Sequence, residues 1–163
     1  MSPTVKIAAG LAAAFALSLP AHGQGLVTEK SISLAMAQSI ANGALEKCQS
    51  MSYKVSVVVL DRAGVQIVML RGDGAGLHTV EGADRKAYTA RTYRAPSADF
   101  AKRVGSDPGY AQAVHYSRVL ALGGGLPIKA GNEVVGAVGV SGSPGKDDVC
   151  SQAGIDKVAD QLK

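Results

Sequence analysis

Residues 53–71 read YKVSVVVLDRAGVQIVMLR. The run VSVVVL is β-branched and almost continuously apolar, which favours a short strand. Arg62-Ala63-Gly64 interrupts it, and a second apolar run, VQIVMLR, follows at once. Two strands linked so closely pair as an antiparallel hairpin, because a parallel pair needs a crossover of about a dozen residues or more.

The elements on either side fit around that hairpin. Upstream, Ser33 stands where it can cap a helix whose apolar residues Leu34, Ala37, Ile40, Ala41, Ala44, Leu45 and Cys48 recur at steps of three and four. Downstream, the glycines of GDGAG end the second strand, and from His78 onward Val80, Ala83, Ala87 and Ala90 mark another helix. Pro96 is expected to stop it, Ser97 to cap a short helix through ADFAKRV, and GSDPGY to form a loop. The segment AQAVHYSRVLAL reads equally as a helical turn or as the entry to a strand. A second hairpin is expected from LPIKA and EVVGAVGVSG, turning at Gly131-Asn132. Asp147 is the expected cap of a closing helix, with Cys150, Ala153, Val158 and Leu162 broadly on one side. The order is helix, hairpin, two or three helices, hairpin, helix. Neither hairpin has a long crossover, so the fold class is α+β, one mostly antiparallel sheet flanked by helices.

The chain has 163 residues, no Trp and two Phe, so its core must be built from Val, Leu, Ile and Ala. Lys6 precedes the apolar run IAAGLAAAFALSL, and Ala21-His22-Gly23 supplies the small residues a signal peptidase reads. Residues 1–23 therefore read as a cleaved export signal, too short in its apolar part for a stable membrane span of about 20 residues. Residues 24–163 suit one domain, and the expected location is periplasmic or secreted. A formal charge of +4, which falls by one with Lys6, is too small to mark a nucleic-acid surface. In an oxidising compartment Cys48 and Cys150 are expected to form one disulfide, the alternative being two buried thiols.

Several familiar motifs fail on spacing. Gly136, Gly139 and Gly142 do not make G-x-G-x-x-G and follow a hairpin, so they read as packing glycines. GVSGS, ending at Ser143, is not G-x-S-x-G. Beyond the signal only His78 and His115 remain, in no zinc-binding spacing, and two cysteines alone make no structural zinc site. One histidine can still serve heme, whose porphyrin supplies four of the iron's ligands. His78 is thus either an axial ligand or an ordinary polar residue at a helix start. Arg85, Lys86, Arg91 and Arg94 follow it, as cations for the carboxylates of a ligand or as a solvated face. Glu81 and Asp84 are expected to pair with Arg85 and its neighbours more than to hold a cation.

Three segments together carry a resemblance: KVSVVVLDRAG, then DGAGLHTVEGADRKAYTARTYRAPS, then GGGLPIKAGNEVVGAVGVSGSPGKDDVCSQAGI. In this order they resemble the GlcG/HbpS family of heme-binding proteins, found also as the C-terminal domain of PduO-type proteins, over about Ile32 to Leu162. The resemblance implies a profilin-like α+β fold, a sheet of about five strands and assembly into homo-oligomers. It implies non-covalent heme as cofactor, with binding near Gly74, His78, Thr79, Lys86 and Tyr88. The Glu-x-x-Glu iron motif described for one branch is absent, Glu81 and Asp84 standing nearest to it.

The function expected is therefore exported heme binding, for storage, buffering or sensing, with heme or another small carboxylate as ligand. His78 is the axial candidate for the iron, with His115 as the other histidine. Lys86 and Arg94 are expected near the propionates, and Phe100, Met69 and Leu77 are candidate apolar contacts. The alternatives are a small-molecule or heme-degrading enzyme using Tyr88, Lys86 and His115 as acid/base groups, or an oligomeric regulatory partner of a membrane sensor. No nucleic-acid partner and no stable membrane insertion are expected.

Overall fold

The computed structural model describes residues 25–163, so the expected export signal lies outside the described residues. Its elements are α1 (Leu34–Ser50), β1 (Ser56–Asp61), β2 (Gln66–Arg71), α2 (Thr79–Tyr93), α3 (Ser97–Ser106), α4 (Pro108–Ala111), β3 (Gly125–Ala130), β4 (Glu133–Ser141) and α5 (Asp147–Asp156). Short 3₁₀ turns occupy Gln112–His115 and Ala159–Gln161. The four described strands form one antiparallel sheet in the order β2-β1-β4-β3, against the five or so implied by the resemblance.

The strand order explains the unbroken apolar run at its centre. β1 lies between β2 and β4, and alternate residues of a strand point to opposite faces. Val57 and Val59 accordingly pack with Ile40, Ala41 and Ala44 of α1 and Cys150 of α5, whereas Val58 and Leu60 pack with Ala83, Ala87 and Ala90 of α2. Helices therefore cover both faces of the inner strands, and no polar face is needed there. β2 is an edge strand, in which Val68 alone is buried and Gln66, Met69 and Arg71 are exposed.

β4 carries the packing glycines. A Cβ on Gly139 would strike the carbonyl oxygen of Ala83 and approach the amide nitrogen of Ala87 to 2.6 Å, so glycine is what lets α2 lie directly on the strand. On the opposite face Cys48 of α1 and Cys150 of α5 are joined by a disulfide, with Cα atoms 5.5 Å apart. It closes a loop of 102 residues, and constraining so long a loop in the unfolded chain stabilises the fold by about 4 to 5 kcal/mol.

Three local expectations change. Ser33 does cap α1, accepting from the Met36 amide at 3.2 Å. Ser97 caps nothing: its hydroxyl donates to the Leu122 carbonyl and accepts from the Gly125 amide, tying α3 to β3. Asp147 is the first residue of α5 rather than its cap, because its carboxylate is held by groups outside the helix. The expected GSDPGY loop contains the end of α3 and the single turn α4, which Asp107 caps through the Gly109 amide at 2.9 Å with Pro108 at the first helical position. Among the described residues no helix is long and apolar enough to cross a membrane.

Candidate functional site

A cleft of about 580 Å³ opens where the start of α2, the end of β4 and the start of α5 meet. That volume lies within the range usual for small-molecule sites. Its floor is an ion pair between Lys86 of α2 and Asp147 of α5, with Nζ 2.7 Å from Oδ2 and both side chains less than a tenth exposed. Lys86 Nζ also donates to the Val140 carbonyl at 3.2 Å. The other carboxylate oxygen of Asp147 accepts from the Ser143 amide at 2.9 Å and from its hydroxyl at 2.7 Å. A buried charge is tolerable only when paired and hydrogen-bonded, and these contacts meet that condition on both sides.

The floor touches the disulfide. Ser143 Oγ lies 3.2 Å from Cys48 Sγ. A disulfide sulfur carries no hydrogen, so the serine is the only possible donor between them, and its proton already points to Asp147. The contact thus makes the Cys48–Cys150 link part of the wall behind the ion pair.

The mouth has a different character. His78 precedes α2, is exposed, and among the described residues its imidazole has no hydrogen-bond partner. Leu122 lines the wall and is 55% exposed, an apolar surface at the opening; Leu77, next to His78 in the chain, is 88% exposed. Lys54, just before β1, lines the same mouth with no ion-pair partner among the described residues. Asp148 closes the far wall, accepting from the Gly124 amide at 2.8 Å.

The sequence expectations divide at this point. His78, Thr79 and Lys86 all line the cleft. Thr79, however, is buried and occupied: its hydroxyl donates to the Gly76 carbonyl and accepts from Ser56 Oγ, both at 2.7 Å, fixing the loop before α2. Lys86 is likewise held by Asp147, which corrects its expected place beside ligand carboxylates; among the described residues Lys54 is the cleft cation without an ion-pair partner. Gly74 lies under the Lys54 side chain, and Gly76 is the glycine of that loop that lines the cleft.

Tyr88, Arg94 and His115 are not brought to the cleft. The Tyr88 ring sits under the Arg118 guanidinium, 4.2 Å from its carbon, and Arg118 in turn grips Asp84 with two hydrogen bonds. Arg94 follows the far end of α2, roughly 24 Å from His78 at 1.5 Å per residue. One ligand cannot easily take both. His115 ends the exposed turn after α4. Phe100 stacks on Tyr93, Met69 lies in a groove between α1 and β2, and Glu81 pairs with Arg85 at 3.3 Å. Lys54, Asp147 and Asp148 were missed in the sequence. Among the described residues no group of three His, Cys, Asp or Glu could hold a metal ion.

The molecule is an α+β domain with helices on both sheet faces and a cleft at the start of α2, and the comparisons give it a family. Residues 32–156 match the family described as haem-degrading HbpS-like proteins. The chain belongs to that HbpS-like family. The crystal structure of a double mutant of HbpS from Streptomyces reticuli is similar with a TM-score of 0.78 and 35% identity, over 93% of this chain and 97% of that one. A crystal structure of PduOC in complex with heme is similar at 0.71 and 25%, over 78% and 94%. A 15.0 kDa protein from the dhaT–dhaS intergenic region of Citrobacter freundii is 32% identical over 72% of this chain and 84% of its own length.

Proposed function

We propose that the chain is an exported protein that binds heme non-covalently at the cleft, with His78 as the axial ligand. The observation that carries this reading is the unpartnered imidazole of His78 in a cleft that the exposed Leu122 and the unpaired Lys54 also line. These groups fit heme: the rings offer apolar faces, the propionates call for a cation, and the iron accepts an imidazole nitrogen. The heme complex of PduOC supports the same ligand class.

Within this reading the Lys86–Asp147 pair shapes the floor and holds the starts of α2 and α5 in place, so the mouth keeps its form without a ligand. Export agrees with the sequence of residues 1–23 and with a disulfide between Cys48 and Cys150. The outer edge of β2, with Met69 exposed on it and Val65 exposed just before it, supports self-association into a homo-oligomer. Storage, buffering and sensing all follow from binding of this kind.

The test is a hemin titration of the chain lacking residues 1–23, followed by absorbance. Wild type is expected to give a saturable Soret shift that His78→Ala loses and His115→Ala keeps. A variant shift identical to wild type would remove His78 from the site, and no saturable shift in wild type would remove heme. The description of the family as haem-degrading favours one second reading, heme breakdown in the same cleft. Loss of the Soret band when the loaded protein is given dioxygen and an electron donor, with catalase present and an open-chain tetrapyrrole recovered as product, would establish it.

A further inference from the structure

At the opposite end of α2 a second hollow, of about 230 Å³, is lined by Arg62, Arg91, Arg94, Lys129 and Glu133. Arg62 is already committed, to Glu133 at 2.9 Å and to Glu29 at 3.2 Å. Arg91 uses only its Nε, which donates to the Arg62 carbonyl at 2.6 Å, leaving both terminal nitrogens. Arg94 and Lys129 have no ion-pair or hydrogen-bond partner among the described residues. Three cations from α2, its C-terminal cap and β3 thus converge with most of their donors unused, and the carboxylate on the wall, Glu133, is bound by Arg62, which it shares with Glu29.

Two further facts describe this end of α2. Burial first, then the like charges of Arg94 and Arg62, lower the Arg91 guanidinium from its ordinary value, with Glu29 and Asp61 offsetting part of the effect. Arg94 itself has φ 55° and ψ 27°, a left-handed conformation in which helices ordinarily end with glycine or asparagine. The negative end of the α2 dipole offsets part of the repulsion between Arg91 and Arg94. It does not account for Lys129, which comes from β3.

We propose that this hollow is a binding site for a small phosphate-type dianion, gripped by Arg91, Arg94 and Lys129 and separate from the cleft at His78. Guanidinium forks match the tetrahedral oxygens of phosphate two at a time, and an ammonium adds a point charge. The volume equals about eight water molecules at their share in the liquid, room for a phosphate group and not for a large ring system. The phosphate could be free, or it could be the headgroup of an anionic lipid.

The experiment titrates inorganic phosphate into the full folded chain at constant ionic strength, read by calorimetry and by the rise in Tm. Arg94→Gly is the informative variant, because it removes the cation and relieves the backbone strain together. Without phosphate it is expected to melt at or above wild type. Its phosphate affinity is expected to fall about tenfold or more, the loss of one charge-assisted hydrogen bond. Lys129→Ala should weaken binding similarly, and Lys102→Ala, a solvent-exposed cation on α3, should not. Absence of saturable binding in wild type, or equal weakening in Lys102→Ala, would overturn the proposal. Co-sedimentation with phosphatidate vesicles but not with phosphatidylcholine, competed by free phosphate, would assign the site to a lipid headgroup. Failure to co-sediment, with phosphate binding intact, would assign it to a soluble phosphate.

Discussion

Replacing Asp147 by alanine should unfold the protein far more readily than its place on a helix start suggests. The substitution leaves the Lys86 ammonium, about a twentieth exposed, with only the Val140 carbonyl, and it frees the Ser143 amide and hydroxyl as well. Removing one partner of a buried ion pair costs about 3 to 5 kcal/mol, because the other charge stays buried without compensation. Lys86→Met should cost less, about 1 to 3 kcal/mol, since the methionine follows the lysine stem and Asp147 keeps both bonds from Ser143. The double variant should then lose less than the sum of the two by about 1 kcal/mol or more, since the charge that each single change strands is gone. Urea denaturation of the disulfide-bonded protein measures all four proteins, provided their m values agree. A loss below about 1 kcal/mol for Asp147→Ala, or strict additivity in the double variant, would refute the claim that the pair is buried and coupled.

Reduction of Cys48–Cys150, checked against Cys48→Ala/Cys150→Ala, should lower stability by about 2 to 5 kcal/mol, and an unchanged urea midpoint would contradict its structural role. Gly139→Ala should destabilise by about 1 to 3 kcal/mol or more, because the new methyl meets the α2 backbone, which cannot move aside as a side chain can; a wild-type melting curve would show that the helix is not seated on β4. Burial first, then the neighbouring Tyr110 and Tyr116, raises the Tyr93 hydroxyl above its ordinary value near 10. A raised folded value means that the native state holds this proton longer than the unfolded chain does. The resulting stability is complete below pH of about 10 and is lost as pH climbs through the folded value. Alkaline denaturation should therefore be shallower in Tyr93→Phe, and identical profiles would remove Tyr93 from the account.

The hairpins and α1 were legible because their signals are local. β1 and β2 are joined by a turn of a few residues, β3 and β4 by Gly131-Asn132, and Ser33 caps the helix that its position announces. The family segments added the fold as a whole. The site was less legible because its floor joins residues 61 positions apart. Asp147 at a helix start has an ordinary use as a cap, and nothing in the local sequence distinguishes that use from pairing with a distant lysine. Tyr88 and Arg94 share a helix with His78, but nearness along a helix is not nearness in space. A step of ten residues places Tyr88 beside Arg118, and sixteen place Arg94 in another hollow. Lys54 gave no signal at all, being one lysine before a strand.

The most direct test of the cleft as the heme site is paramagnetic broadening in the amide spectrum of the ¹⁵N-labelled chain loaded with ferric heme. Signals from Gly76, His78, Leu122, Gly123 and Gly145 should vanish first, while those near Arg94, Lys129 and the groove between α1 and β2 persist. Broadening centred on either of those other surfaces, with the His78 signals intact, would contradict the account.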